Sequence, residues 1–262
     1  MNSLQELFTL QGKTALVTGA SGGLGVEFAR ALAVAGADVA VLARRKERLR
    51  KVAREIEQLG VRCLPVTADL TVQDDLERAL AEIHEGLGAV DILVNNAGVA
   101  PFGKAERQTR EQWDSALAVN LTAPFVLCQH VARAMIERGG GGRIINISSV
   151  MGEVASSIFP TVGYNASKGA VTNMTRQLAV EWARHGITVN AIAPAWFPTE
   201  MNRDPKIGDI NPKYKERMEQ FTPMGRLGNE GELMAAVIFL ASPAASYVTG
   251  AILPVDGGWL AW

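Results

Sequence analysis

The chain of 262 residues carries only two cysteines, Cys63 and Cys128. Their separation excludes the close spacing of a metal clip or a redox pair, and no other metal site is indicated. Cys63 lies in an apolar run and Cys128 in a helical pattern, so both are expected to be buried free thiols. An excess of either charge is also missing. Lys plus Arg number 26 and Asp plus Glu 27, a net charge of -1. This removes the electrostatic reason to seek nucleic acid or an anionic membrane, although a local patch can still hold an anion. No apolar run of membrane-spanning length is expected. The opening MNSLQELFTLQGK lacks the basic start and long apolar stretch of a signal peptide, so a cytoplasmic setting is expected. No Pro/Ser-rich linker divides the chain. Residues 1–262, of which 48% are hydrophobic, are therefore expected to form one domain.

What is present is an alternation of short apolar runs and longer amphipathic segments. Strands are predicted at Thr14 to Thr18, Asp38 to Ala43, Val61 to Val66, Asp91 to Val94, Arg143 to Ile147, Ile187 to Ala193 and Ala251 to Val255. Helices are predicted from the glycine cluster to about Gly36, then at Arg45 to Leu59, Gln73 to Leu87, Glu111 to Arg138, Gly163 to Arg184 and Glu230 to Leu240. Such alternation implies an α/β fold: a doubly wound, Rossmann-type parallel sheet of about seven strands with helices on both faces. Residues 195–227 break the rhythm with four prolines and are expected to form a substrate-binding loop or lid at a strand's carboxyl end.

Between the first strand and first helix stands TGASGGLG, with Gly19, Ser21, Gly22, Gly23, Leu24 and Gly25 as candidate nucleotide-binding residues. Glycines let a backbone approach a phosphate closely, and a helix amino terminus offers it free N–H groups. The spacing G-x-x-x-G-x-G differs from the common G-x-G-x-x-G fingerprint. The second strand ends in Ala43-Arg44-Arg45 with no acid. An acid there would bond ribose hydroxyls and repel a 2′-phosphate. Arg44 and Arg45 can instead pair with that phosphate, which favours NADP(H) over the alternative, NAD(H). Solvated residues opening a basic helix are the plainer explanation of the same pair.

Tyr164 and Lys168 fall at i and i+4 near the start of a predicted helix and share its face. An ammonium favours the phenolate, so Lys168 is expected to lower the Tyr164 pKa and equip the phenol for proton transfer near neutral pH. Ser148 and Ser149 end the fifth strand, where either hydroxyl can hold a carbonyl oxygen. Asn120 falls inside the long helix, able to bond a backbone carbonyl or position a water. Asn95, Ala97 and Gly98 close the fourth strand beside the expected nucleotide channel.

Together these pieces resemble the short-chain dehydrogenase/reductase family nearly end to end. The matching segments are TGASGGLG at 18–25, ADL at 68–70, NNAG at 95–98, Asn120, ISS at 147–149, YNASK at 164–168 and the terminal VDGG. The resemblance implies Tyr164 as acid/base, with Lys168 lowering its pKa and bonding the nicotinamide ribose. It implies Ser149 orienting the carbonyl and Asn120 holding a relay water. It places Asp69 and Leu70 at the adenine, and Pro194, Phe197 and Thr199 at the nicotinamide. The implied reaction is hydride transfer between nicotinamide and a carbinol carbon. Two departures stand out: 15 residues separate Ser149 from Tyr164, about two more than is usual, and Pro194-Ala195 replaces the common Pro-Gly.

Met151, Ile158, Phe159, Trp196, Phe197 and Met201 are the candidate pocket walls, suited to a medium-sized ketone. Arg203 and Lys206 are candidates for a substrate carboxylate. The stretch PAWFPTEMNR and the opening LFTLQGK are similar to the gluconate 5-dehydrogenase branch, which points to a sugar acid or polyol. A 3-oxoacyl-carrier-protein reductase and a catalytically silent dinucleotide sensor remain as alternatives. The family resemblance also implies a homotetramer, with the two long helices as candidate faces and the apolar tail from Trp259 to Trp262 packing on a neighbouring subunit.

Overall fold

The computed structural model describes residues 3–203 and 207–261. Seven parallel strands form one sheet: β1 (Thr14–Thr18), β2 (Asp38–Ala43), β3 (Cys63–Thr67), β4 (Ile92–Asn95), β5 (Gly142–Ile147), β6 (Ile187–Pro194) and β7 (Ile252–Val255). Their spatial order is β3-β2-β1-β4-β5-β6-β7. The order reverses between β1 and β4, and a crevice opens outside their carboxyl ends at such a switch point. All of β1 and β6 is buried, as expected of strands covered on both faces.

Side chains alternate between two cores. Val39 and Val41 join Phe28 and Leu32 of α2 (Leu24–Val34), Leu49 and Ile56 of α3 (Lys46–Glu57), and Val237 of α9 (Met234–Ala241). Ala40 and Leu42 join Leu76 and Ile83 of α4 (Gln73–Leu87), Leu127 and Val131 of α6 (Ala123–Arg138), and Leu178 of α7 (Val162–Trp182). The period of two along each strand thus separates the layers.

Three local features differ from expectation. A short helix α1 (Leu4–Phe8) opens the described chain, closed by a capping box: the Ser3 hydroxyl accepts from Glu6 N, and the Glu6 carboxylate accepts from Ser3 N. The long helix is interrupted by a π-helical turn, Ala118–Thr122, between α5 (Arg110–Leu117) and α6. As one stretch, Arg110–Arg138 is long and apolar enough to cross a membrane, contrary to the sequence expectation, yet its buried side packs in the second core. Residues 195–227 contain α8 (Pro212–Gln220). Asn211 accepts from Lys213 N, and Pro212 fills the first helical position, which needs no donor. The dipeptide that looked like another proline break is a helix start.

A third cluster covers the carboxyl edge of the sheet. Val150, Met151, Trp196 and Met218 pack with the partly buried Phe159, Tyr164 and Trp259. The Trp196 ring lies 5.3 Å from Phe159 and 5.4 Å from Trp259. Trp259 and Leu260 pack in part on their own chain; Trp262 lies outside the described residues.

Candidate active site

A cavity of about 900 Å³ runs along the carboxyl edge from the glycine loop to the aromatic cluster. Its nucleotide end is shaped by what the backbone must clear. At Gly19, with φ +67°, an added Cβ would lie 2.8 Å from Ala97 Cα, so only glycine lets β1 and β4 approach here. The Thr18 hydroxyl accepts from the backbone N–H groups of Asn96 and Ala97, each at 3.0 Å, and Asn96 Nδ2 donates to Thr18 O. Gly23 then caps α2 without a side chain, leaving the helix's first N–H groups facing the groove.

Gly19, Ser21, Gly22, Gly23, Leu24, Arg44, Arg45, Asp69, Leu70, Ala97, Gly98, Pro194, Phe197 and Thr199 all line the cavity, together with Asn96. Gly25 lies behind the loop against Gly19 O, a packing position. Asn95 also stands apart from the cavity. Its Nδ2 donates to Asn146 Oδ1 at 2.9 Å and to Cys128 Sγ, beneath the sheet. Asn96, the first residue after β4, lines the cavity instead. Arg44 is largely exposed and lies 3.7 Å from Asp69, whose carboxylate also accepts from the Thr71 backbone and hydroxyl. Those bonds from Thr71 hold the Asp69 pKa below the ordinary carboxylate range. Arg45 turns over the glycine loop: Nε donates to the Ser21 hydroxyl at 3.0 Å and Nη2 to Ser21 O at 3.3 Å.

At the other end Ser149, Tyr164 and Lys168 line the same cavity. The Ser149 hydroxyl acts on the Tyr164 phenol, pulling its pKa down. Ser148 serves a different purpose. Its hydroxyl is 2.9 Å from that of Thr172 and donates to Lys168 O, pinning α7 to the end of β5. Both serines line the cavity, but Ser148 is tied to α7 while Ser149 accepts from Met151 N at 3.1 Å.

Lys168 is buried, and its Nζ donates to Ile147 O at 2.6 Å. Burial pulls its pKa down to about 8. The ammonium sits 5.6 Å from the centroid of the Tyr164 ring. Contrary to expectation, the Tyr164 pKa is raised: burial pushes it up, and the Ser149 hydroxyl pulls it only partly back.

Asn120 occupies the π-helical turn, a distortion that recurs at functional sites. Its side-chain oxygen accepts from Val99 N, while Nδ2 donates to Val99 O and to the Ser167 hydroxyl. Ser167 donates in turn to Tyr164 O at 2.7 Å. Both Nδ2 protons and one acceptor position of the oxygen are engaged in positioning, and the bond to Val99 O is the backbone-carbonyl contact the sequence allowed. The amide's bonds fix Val99, beside Gly98, relative to the first turn of α7.

Met151, Phe159, Trp196, Phe197 and Met201 line the cavity, but Ile158 is buried behind them, and Arg203 is exposed outside the lining. Lys206 lies outside the described residues. Sequence reasoning missed Phe102, Thr161 and Asn202 on the walls, and Glu200 on the rim. None has a spacing signal, because each is carried by a loop.

A family model described as enoyl-(acyl carrier protein) reductase matches residues 19–260. The gluconate 5-dehydrogenase of Gluconobacter oxydans is 41% identical over 97% of this chain and 96% of its own. A galactitol 2-dehydrogenase (L-tagatose-forming) of Cereibacter sphaeroides is 41% identical over 98% and 99%. The crystal structure of a gluconate 5-dehydrogenase from Burkholderia cenocepacia, in complex with NADP and tartrate, superposes with a TM-score of 0.92. It is 37% identical and covers 99% of this chain and 100% of its own. The chain belongs to the short-chain dehydrogenase/reductase family. In this short-chain dehydrogenase the residues at the nucleotide end fit a dinucleotide. The groove is floored by glycine, a helix amino terminus faces it, and the second strand ends in arginines.

Proposed function

We propose that the chain is an NADP(H)-dependent oxidoreductase that interconverts a secondary alcohol and a ketone, with a sugar acid or polyol as substrate class. The observation that carries this reading is the convergence of Tyr164, Ser149 and Lys168 on the cavity that also contains the glycine loop. The relatives named for gluconate and galactitol support the substrate class. The arginines ending β2 support the phosphorylated cofactor.

When bound, the dinucleotide supplies or accepts the hydride. The protein's own residues handle the proton and the geometry. The Ser149 hydroxyl orients the substrate oxygen toward Tyr164. The Tyr164 phenol gives its proton to that oxygen during reduction and takes one during oxidation. Lys168, Asn120 and Ser167 hold the helix that carries the phenol.

The test follows nicotinamide absorbance over a panel of aldonates, ketoaldonates and hexitols, with both cofactors. Turnover of a sugar acid or polyol with preference for NADP(H) is expected. Tight NADP(H) binding without turnover of any carbonyl compound would instead identify a silent sensor. Turnover confined to 3-oxoacyl thioesters would identify a carrier-protein reductase.

The chain is further proposed to assemble as a homotetramer through α6 and α7. Phe125 is 42% exposed and Val180 77% exposed on these helices, and burial of such groups drives association. Sedimentation of Phe125→Glu should show a smaller particle than the unaltered chain. An unchanged mass would remove α6 from the interface.

A further inference from the structure

Glu200 belongs to the segment after β6, yet its carboxylate lies over the glycine loop. Arg45 Nη1 donates to it at 2.7 Å across 155 residues of sequence, and Arg48, one turn along α3, donates to its other oxygen. The same Arg45 holds the Ser21 hydroxyl and carbonyl. A Cβ added at Gly22 would lie 2.9 Å from Arg45 Nη2 and 3.5 Å from the Glu200 carboxylate. Two guanidinium groups thus hold one anion beside the glycine loop, and Ser21 holds one of them. That donor set suits a phosphate dianion as well as a carboxylate.

We infer that Glu200 is the resident counter-anion of the 2′-phosphate subsite, and that Arg48 is part of that subsite. The inference rests on the NADP(H) reading above. The phosphate of NADP(H) takes the place of the carboxylate between Arg45 and Arg48, whereas NAD(H) leaves the carboxylate seated. Glu200 therefore sets the discrimination between the two cofactors by competing with the phosphate alone. The exchange also reaches the substrate end. Glu200 opens the 3-10 turn Glu200–Asn202, and Met201 and Asn202 on that turn line the cavity. Asn202 Nδ2 donates to Phe197 O at 2.8 Å, tying the turn to the wall beside the substrate. Cofactor phosphorylation is thereby felt where the substrate binds.

The experiment measures binding by calorimetry for the full chain and for Glu200→Gln, using NADP+, NAD+, 2′-AMP and 5′-AMP. Glu200→Gln should tighten NADP+ and 2′-AMP by roughly two- to fivefold, the upper range of a partly exposed ion pair removed from competition. NAD+ and 5′-AMP should change less than about twofold. In an Arg48→Gln background the gain from Glu200→Gln should shrink, because the two side chains act through one site. Hydrogen exchange at residues 199–203 should rise when 2′-AMP binds the unaltered chain and stay level with 5′-AMP. Unchanged or weakened NADP+ binding by a folded Glu200→Gln, or equal tightening of NAD+, overturns the inference. Failure of the unaltered chain to bind either dinucleotide overturns the functional reading itself.

Discussion

At the scale of single residues, burial disfavours the charged form of both titratable groups at the site. Burial raises the Tyr164 pKa and lowers that of Lys168 to about 8. The phenol is thus a ready proton donor at neutral pH and a poor acceptor. Ketone reduction should stay level through the neutral range, while alcohol oxidation should climb with pH as the phenolate becomes accessible. Tyr164→Phe should lower kcat in both directions by about 10²–10⁴-fold with dinucleotide binding retained. The two serines should differ in their effect on turnover. Ser149→Ala should reduce kcat strongly and also cost about 1 kcal/mol of stability through the Met151 N–H it leaves without its acceptor. Ser148→Ala should cost about 1 kcal/mol of stability through the lost bond to Lys168 O, Thr172 keeping Glu153 as its partner, and retain most of the turnover. Equal loss of kcat in both variants would contradict the assignment. The i, i+4 spacing made the Tyr–Lys pair legible in the sequence. The sign of the tyrosine's shift was not legible, because it depends on burial by distant loops and on Lys168 finding the Ile147 carbonyl. Asn95 was misplaced for a similar reason: it ends β4 and Asn96 follows it, and only the fold tells which of the two lines the cavity.

At the scale of elements, strands and helices with strong periodicity were readable, and β1, β2 and α4 occupy the predicted ranges. The misses concentrate where periodicity is weak. Helix α8 has one buried residue, Met218, so its sequence shows no apolar stripe to mark it. What fixes its start is the Asn211 cap and Pro212. Asn211→Ala should destabilise α8 by about 1 kcal/mol. Since Met218 anchors α8 in the cluster behind Trp196, the variant should raise KM for the substrate more than it lowers kcat. A change confined to kcat would show that α8 does not shape the pocket. The π-helical turn was also invisible beforehand. Its role is clear only when Asn120, Val99 and Ser167 are seen in contact.

At the scale of the whole molecule, the alternation of strands and helices was enough to anticipate the parallel sheet, whereas the packing of the tail was not. The buried lysine has a consequence for overall stability. Unfolded, Lys168 titrates near 10.5; folded, near 8. Between these values the native state binds fewer protons, so its stability rises with pH across that window. Below about pH 8 the full cost of the buried charge, about 3 kcal/mol by the shift, is present. Lys168→Met should therefore gain stability relative to the unaltered chain at pH 7, and the gap should close toward pH 10.5. Chemical denaturation of both at several pH values reads this directly, and comparing the two proteins removes the opposing contributions of Cys63, Cys128 and Tyr164, whose raised pKa values act in the alkaline range. A gap that does not vary with pH would place the charge elsewhere.

The sheet order puts the glycine loop and the arginines on the β1–β3 side and the proton-handling residues on the β4–β6 side. Glu200, reaching back to Arg45 and Arg48, bridges the two sides at the rim. Coenzyme choice should therefore be adjustable at such rim positions while the proton-handling residues next door stay as they are.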